Sequence, residues 1–463
     1  MTDFTQYQSP FSWRYGSPEM RSVWSEIHKR QLWRQAWIAL ARVQQAFGLV
    51  TPEQVAELEE HAGQVDLPRA LEIEAEIHHD LMAELKTFAE QCPGAGGILH
   101  MGATSMDIED NVDALRLAEG LDLVNQRLSS LLSVLADQID QAADLPVMAF
   151  THLQPAEPTT LGYRLASYTQ DLLEDWQGLA GLRATIRGKG FKGAVGTGAA
   201  YADLLGLENF AAFEEQLSKE LNLPFYAVST QTYPRKQDYQ VISALAGLGA
   251  SLHKLAFDLR LLQSPPLGEL SEPFGSRQVG SSAMPFKRNP INAEKIDSLA
   301  RLLAALPGVA WHNAANSLLE RTLDDSANRR SILPEAFLII DELLITARRI
   351  IKGLKINRES IQRNLDIYAP FAATERMMMA AALAGADRQE MHERLREHAM
   401  AAWQEVQSGR ANPLIDLLKS DPWIGTYLSP EQIDVLALVD AYTGIAPQRA
   451  REIAACVRSL VGE

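Results

Sequence analysis

Three stretches of this chain repeat apolar residues at three- and four-residue steps far beyond the length of an ordinary helix. One carries Leu121, Val124, Leu128, Leu131 and Leu135; another carries Leu161, Leu165, Tyr168, Leu172, Trp176 and Leu179. The last runs through Val241, Leu245, Leu248, Leu252, Leu255, Leu259 and Leu262. This period keeps one face of a helix turned toward a partner, and roughly thirty residues span on the order of 45 Å. Such rods are bundle helices, and the apolar surface they carry in excess predicts that chains pack against one another. No alternating β pattern of any length, no dinucleotide or P-loop fingerprint and no short internal repeat accompanies them. The expected fold is all-α in three helical domains. An N-terminal helical domain over 1–107 precedes a central long-helix bundle over 108–356, which assembles into a multi-chain helical core. A C-terminal helical domain over 357–463 follows, its shorter and more charged helices separated by Pro413, Pro422, Pro430 and Pro447.

At 463 residues, with 46% hydrophobic and 22% charged content, the chain can bury a large core without covalent staples. Its two cysteines, Cys92 and Cys456, offer neither a disulfide framework nor metal-type spacing, which fits a reducing cytoplasm. Residues 1–16 lack a basic segment followed by an apolar one, and no run reaches membrane-spanning length, so a soluble protein with no membrane partner is expected. A formal net charge of −16 argues against nucleic acid as a partner. It also gives no whole-molecule attraction for an anionic small molecule. Any phosphate or carboxylate has to be gripped by a local basic cluster.

The densest chemistry lies between Pro273 and Lys295, around Gly280-Ser281-Ser282-Ala283-Met284-Pro285-Phe286-Lys287-Arg288-Asn289-Pro290. By composition alone this is a solvated Gly/Ser/Pro loop with two cations. Its order is more specific. A serine hydroxyl takes a proton from carbon only when donors stabilise its alkoxide. Here the backbone amides around Gly280 to Ala283, the Lys287 ammonium and the positive end of the helix after Pro290 can do so. Ser281 is the candidate base and Lys287 its electrostatic support, on a mobile loop.

Other motifs are scattered along the chain. Arg14-Tyr15 precedes a helix opened by Ser17-Pro18-Glu19, and Thr51-Pro52-Glu53-Gln54 reads as a capping box. His78-His79-Asp80 and His100 lack zinc-type spacing, and a histidine beside an aspartate is commonly a hydrogen-bonded structural residue. His152 sits in Thr151-His152-Leu153-Gln154-Pro155-Ala156, read as a loop between two bundle helices. An imidazole there is either a helix cap or a general acid or base. The glycine-dense basic segment from Arg187 to Gly198 fits no phosphate-loop spacing, so its glycines signal close backbone approach. In Glu320-Arg321-Thr322-Leu323-Asp324-Asp325-Ser326-Ala327-Asn328-Arg329-Arg330 the acids can simply neutralise the arginines. Ser326 and Arg330, four apart, share a helical face on which hydroxyl and guanidinium can grip a phosphate.

Taken together, these motifs resemble the fumarase/aspartase superfamily, lyases that remove fumarate from a succinyl group. The Lys287-Arg288-Asn289-Pro290 ending resembles the adenylosuccinate lyase family, and the motifs from Tyr7 to roughly Met400 are most similar to its animal-type branch. The resemblance implies a C–N lyase of purine nucleotide biosynthesis that needs no cofactor or metal. It would cleave adenylosuccinate to AMP, and the succinyl-aminoimidazole carboxamide ribotide to its carboxamide. His152 matches the acid histidine and Glu294 the carboxylate that orients it. Arg14, Tyr15, His79, Asp80, Thr104, Ser105, Gln231, Asn289, Arg321, Ser326 and Arg330 match substrate-binding positions. Two positions depart from the pattern. His78 stands where many relatives carry Arg, so its contact depends on pH or runs through backbone alone. Lys295 replaces another Arg, keeping the charge but losing the guanidinium fork. The resemblance also implies a homotetramer whose sites draw on three chains. Argininosuccinate lyase, fumarase and a catalytically silent, crystallin-like structural protein share the scaffold and stand as the alternatives.

Overall fold

The computed structural model describes residues 4–462. Helices dominate, and the sheets among the described residues are two pairs of strands. Packing divides the chain into two compact units. The first gathers Met1–Leu128, Asp175–Ala250 and Ser298–Ile345; the second gathers Ser129–Glu174, Ser251–Asp297 and Thr346–Glu463. The interleaving has a direct cause. Ser105–Ala142, Leu161–Thr185, Lys236–Gln263, Ile291–Ala315 and Ser326–Lys352 are continuous helices, and each contributes one stretch to each unit. The domains expected from sequence follow chain order, whereas packing sorts residues by which half of a long helix they occupy. The three periodic stretches lie in the first three of these helices, and apart from half-buried Trp176 every residue of the pattern is buried.

In the first unit, helix α1 (Glu26–Ala46) lays Trp33, Trp37 and Leu40 into a core shared with Phe88, Phe191, Tyr201 and Phe213. Helix α2 (Leu67–Ile77) and helix α3 (Asp80–Gln91) follow it. Glu84, fully buried on α3, accepts from Arg30 Nη1 at 3.1 Å and Arg34 Nε at 2.7 Å. A buried ion pair contributes little net stability compared with an apolar substitute, but leaving a guanidinium without its carboxylate is expensive. A second buried network joins helix α4 (Ser105–Ala142) to the segments around Tyr233 and Arg329. Asp110 accepts from Arg235 at 3.0 Å and from the Tyr233 amide at 2.7 Å. Arg329 donates to Asp238 at 2.7 Å and to Asp113 at 3.0 Å.

The second unit contains the main departure from the all-helical reading. The segment around His152, read as a loop, is a β-hairpin of β1 (Pro146–Thr151) and β2 (Gln154–Thr160) with Thr151 opposite Gln154. Pro155 and Pro158 hide the second strand from pattern reading, since proline donates nothing to a ladder. A two-stranded ribbon tolerates it because each strand has a free edge. The two-residue turn is His152-Leu153, with φ of 52° and 59°. Positive φ at both central residues is what the tight hairpin turn requires, and glycine or asparagine usually meets it. The hairpin packs on helix α5 (Arg358–Leu383), with Phe150 set edge-on to Tyr368 at 6.3 Å between ring centroids. A smaller pairing, Leu270 with Ile356 and Ser271 with Lys355, ties the entrance of the Gly/Ser loop to the chain before α5.

Glu84→Ala is expected to cost about 3–5 kcal/mol in urea unfolding, because two guanidinium groups lose their buried acceptor. A loss under about 1 kcal/mol would show that water reaches the site. Leu153 is 71% exposed, so its side chain contributes little packing. Leu153→Gly is therefore expected to raise stability by about 1 kcal/mol by relieving the left-handed backbone. A lowered unfolding midpoint would contradict that.

Candidate active site

The Gly/Ser loop is held closed at its base. Glu272, buried just before it, accepts from the amides of Asn292 at 3.1 Å and Ala293 at 3.1 Å, in the first turn of the helix Ile291–Ala315. Gln263 adds a second tie, accepting from the Glu272 amide at 3.0 Å and donating to the Arg288 carbonyl at 3.1 Å. Within the loop, Asn289 Nδ2 donates to the Gly280 carbonyl at 3.0 Å. Gly280 passes so close to residue 287 that a Cβ on it would lie 2.1 Å from the Lys287 carbonyl oxygen. That approach explains the glycine without any special dihedral angle. The result is a tight reversal in which Ser281 Oγ accepts from the amides of Met284 at 3.0 Å and Ala283 at 3.3 Å. Two amide donors on one hydroxyl oxygen favour its deprotonated form. Ser281 is half-buried and Lys287 exposed. Glu294 and Lys295 occupy the first turn of the following helix, where Glu294 lies 3.9 Å from Arg260.

His152, at the exposed hairpin tip, lines a cavity of about 1060 Å³ with Leu153, Tyr163, Arg164, Lys254 and Arg449. Arg164 is fixed there by Glu269 at 3.0 Å, itself held by Asn364. Neither Ser281 nor Lys287 lines this cavity, and no hydrogen bond joins His152 to Glu294 among the described residues. Within one chain the second unit does not bring the acid and base candidates together.

The first unit assembles the other group at helix ends. His78 closes α2 in the left-handed conformation, φ 55°, with its amide donating to the Glu74 carbonyl at 2.8 Å. His79 is the N-cap of α3: its Nδ1 accepts from the Met82 amide at 3.4 Å and its Nε2 faces Ser105 Oγ at 3.3 Å. Acceptance at Nδ1 leaves Nε2 as the protonated nitrogen, so the ring donates to Ser105. Asp80 pairs with Arg330 at 2.8 Å. Ser326 and Arg330 lie in the opening turns of the helix Ser326–Lys352, and both line a cavity of about 100 Å³ with Asp80, as their spacing predicts. Arg321 is bound to Asp325 at 2.7 Å. Although burial opposes it, Arg235, Arg329 and Arg321 together hold the Asp325 carboxyl below its ordinary range. Gln231 is fixed by its amide to the Glu320 carbonyl at 3.2 Å. The Arg14 guanidinium lies over the Trp13 ring at 4.5 Å, and Tyr15 packs on Phe11.

Asp107, absent from the motifs of the sequence, is fully buried and organises this region. Its carboxylate accepts from the amides of Thr104 at 3.0 Å, Lys192 at 3.1 Å and Gly193 at 3.1 Å, and from the Lys189 ammonium. It therefore fixes both the Thr104-Ser105 corner and the glycine-dense segment. Close approach is indeed why those glycines are there, since a Cβ on Gly196 would meet the Ser229 carbonyl oxygen at 1.9 Å. The available signal was Asp107, Asp110 and Asn111 at helical steps inside an otherwise apolar face, opposite a basic segment with matching buried lysines.

Comparison with known proteins agrees with this architecture. A lyase family profile matches residues 17–303, and a profile for the adenylosuccinate lyase C-terminus matches residues 370–453. The chain is 41% identical to the adenylosuccinate lyase of Schistosoma mansoni, over 91% of this chain and 89% of that protein. It is 38% identical to that of Saccharomyces cerevisiae, over 98% and 95% of the two. Among solved structures, a 3-carboxy-cis,cis-muconate lactonizing enzyme from Pseudomonas putida superposes with a TM-score of 0.86 at 26% identity, covering 98% of this chain and 99% of that one. A fumarate lyase from Mesorhizobium shares the fold at a TM-score of 0.84 and 24% identity, over 97% and 99% of the two chains. Matches of this extent show that the chain belongs to the adenylosuccinate lyase family, a branch of the helical-bundle C–N lyases.

Proposed function

We propose that this enzyme eliminates fumarate from adenylosuccinate, giving AMP, and from the succinyl-aminoimidazole carboxamide ribotide, giving the free carboxamide. Both steps serve purine nucleotide biosynthesis in the cytoplasm. Ser281 removes the proton from the carbon β to the departing nitrogen, leaving a carbanion conjugated with a substrate carboxylate. The C–N bond then breaks, the carbon–carbon double bond of fumarate forms, and His152 delivers a proton to the leaving nitrogen. Lys287 and the loop amides stabilise the charge on the succinyl carboxylate. Arg321, Ser326 and Arg330 hold the phosphate, with Arg14, Tyr15, His78, His79, Asp80, Thr104, Ser105, Gln231, Asn289 and Lys295 completing the binding surface.

The observation that carries this reading is the pair of amides, from Ala283 and Met284, donating to Ser281 Oγ. A free serine is far too weakly acidic for the task, and such donors are the stabilisation its alkoxide requires. The separation of His152 from Ser281 supports a site completed by other copies of the chain, in a homotetramer. Exposed Phe257 and Leu261 on one long helix, and exposed Leu302 and Trp311 on another, are apolar surface suited to such contacts.

Ser281→Ala is expected to lower kcat for fumarate release on the order of a thousandfold with the thermal midpoint unchanged, and His152→Ala by about a hundredfold or more. A Ser281→Ala variant near wild-type rate would remove serine from the mechanism. Light scattering with simultaneous activity measurement is expected to find the tetramer active and any monomer inactive. A fully active monomer would overturn the shared site.

A further inference from the structure

Beside Arg330 lies a carboxyl with no role in the reaction described above. Glu109, on α4, lines the same cavity of about 100 Å³ as Asp80, Ser326 and Arg330. It is half-buried and makes no hydrogen bond or ion pair among the described residues. The charges facing it come from every neighbouring element. Asp110 and Asp113 lie on its own helix, Asp80 on α3, Arg329 and Arg330 on the helix Ser326–Lys352, and Glu26 and Lys29 on α1.

Most of the cations are already committed. Arg329 is divided between Asp113 and Asp238, Arg116 lies 3.5 Å from Asp113, and Lys29 pairs with Glu26 at 2.8 Å. Arg330, 59% exposed, has Asp80 as its carboxylate partner. Burial, reinforced by Asp80, Asp113 and Asp110 and opposed by Arg330, pushes the Glu109 carboxyl up to about 8. Near neutral pH it is a neutral acid with an O–H to donate. Ionised, it would add a further carboxylate to Asp80, Asp113 and the Lys29-paired Glu26 against an incoming dianion.

We propose that Glu109 is a proton-linked binding residue for the substrate phosphate, donating its O–H to a phosphate oxygen held by Arg330 and releasing that phosphate when it ionises. This rests on the assignment of Ser326 and Arg330 to the phosphate. Above neutral pH, binding then draws a proton from water onto the Glu109 carboxylate, and release returns it.

The test is KM for adenylosuccinate between pH 7 and pH 9, where a phosphate monoester with a second pKa of about 6 stays dianionic throughout. Wild-type KM is expected to rise about tenfold across this range, and that of Glu109→Gln less than about twofold. An equally steep rise in Glu109→Gln would overturn the proposal. Arg330→Gln separates the two layers of the argument. If it leaves KM at pH 7 unchanged, the phosphate assignment itself fails; if it raises KM while Glu109→Gln stays steep, Glu109 alone is misassigned. Should Glu109→Gln not fold, calorimetry of AMP binding to the wild-type enzyme at pH 8.5, in two buffers of different ionisation heat, reads the proton directly. More than about half a proton taken up per site supports the proposal, and none would sink it.

Discussion

Burial of apolar stripes along the long helices is the constraint on which the rest of this structure depends. Leu128, Leu172 and Leu252 sit at full burial within their rods, and a packed stripe of that kind has no room for a polar group without a partner. The polar side chains proposed for the site are therefore displaced to the rod ends and the connections. Ser105 is the first residue of one long helix, Ser326 the first of another, and Glu294 lies in the opening turn of a third. These are N-terminal ends, where unpaired amides and the helix dipole favour anions. A chain with a formal charge of −16 can in this way present locally positive ground to an anionic nucleotide.

The charges that do enter the interior are networked. Glu84 serves two arginines, Asp325 serves Arg235 and Arg321, and Asp107 collects three amides and an ammonium. Each buried carboxylate fixes segments that are distant in sequence, which is registration more than adhesion. Asp107 is the clearest case: Thr104 on one side and Lys189, Lys192 and Gly193 of the glycine-dense segment on the other take their positions from it. The site's geometry is thus set one layer behind the residues that would meet substrate.

What the sequence made legible follows the same division. Period foretold the long helices, because a stripe must be written in leucines at regular steps, while Ser17-Pro18-Glu19 marked the start of a short helix that ends at Val23. The Ser326 and Arg330 pairing on one helical face was equally readable from spacing. The hairpin bearing His152 was not, since Pro155 and Pro158 erase the strand signature and the turn uses His-Leu in place of Asn-Gly. Glu109 was silent, and Asp107 was marked only by its helical spacing with Asp110 and Asn111. A carboxylate on a helix looks alike whether it faces water or a buried lysine, and only the fold distinguishes the two. The interleaving of the two packed units is likewise unmarked in sequence, because nothing local in a continuous helix marks where its packing partners change.

The clamp at the base of the Gly/Ser loop has a wider meaning. Glu272 on one side grips Asn292 and Ala293 on the other, so the intervening segment has its ends tied independently of the contacts its own residues make. The entropy of closing the ring is met by that grip, and it grows only slowly with the number of residues enclosed. The segment is in effect a cassette. Ser281 and Lys287 are thus carried on a segment anchored at both ends, so a change of conformation within it leaves the receiving helix in place.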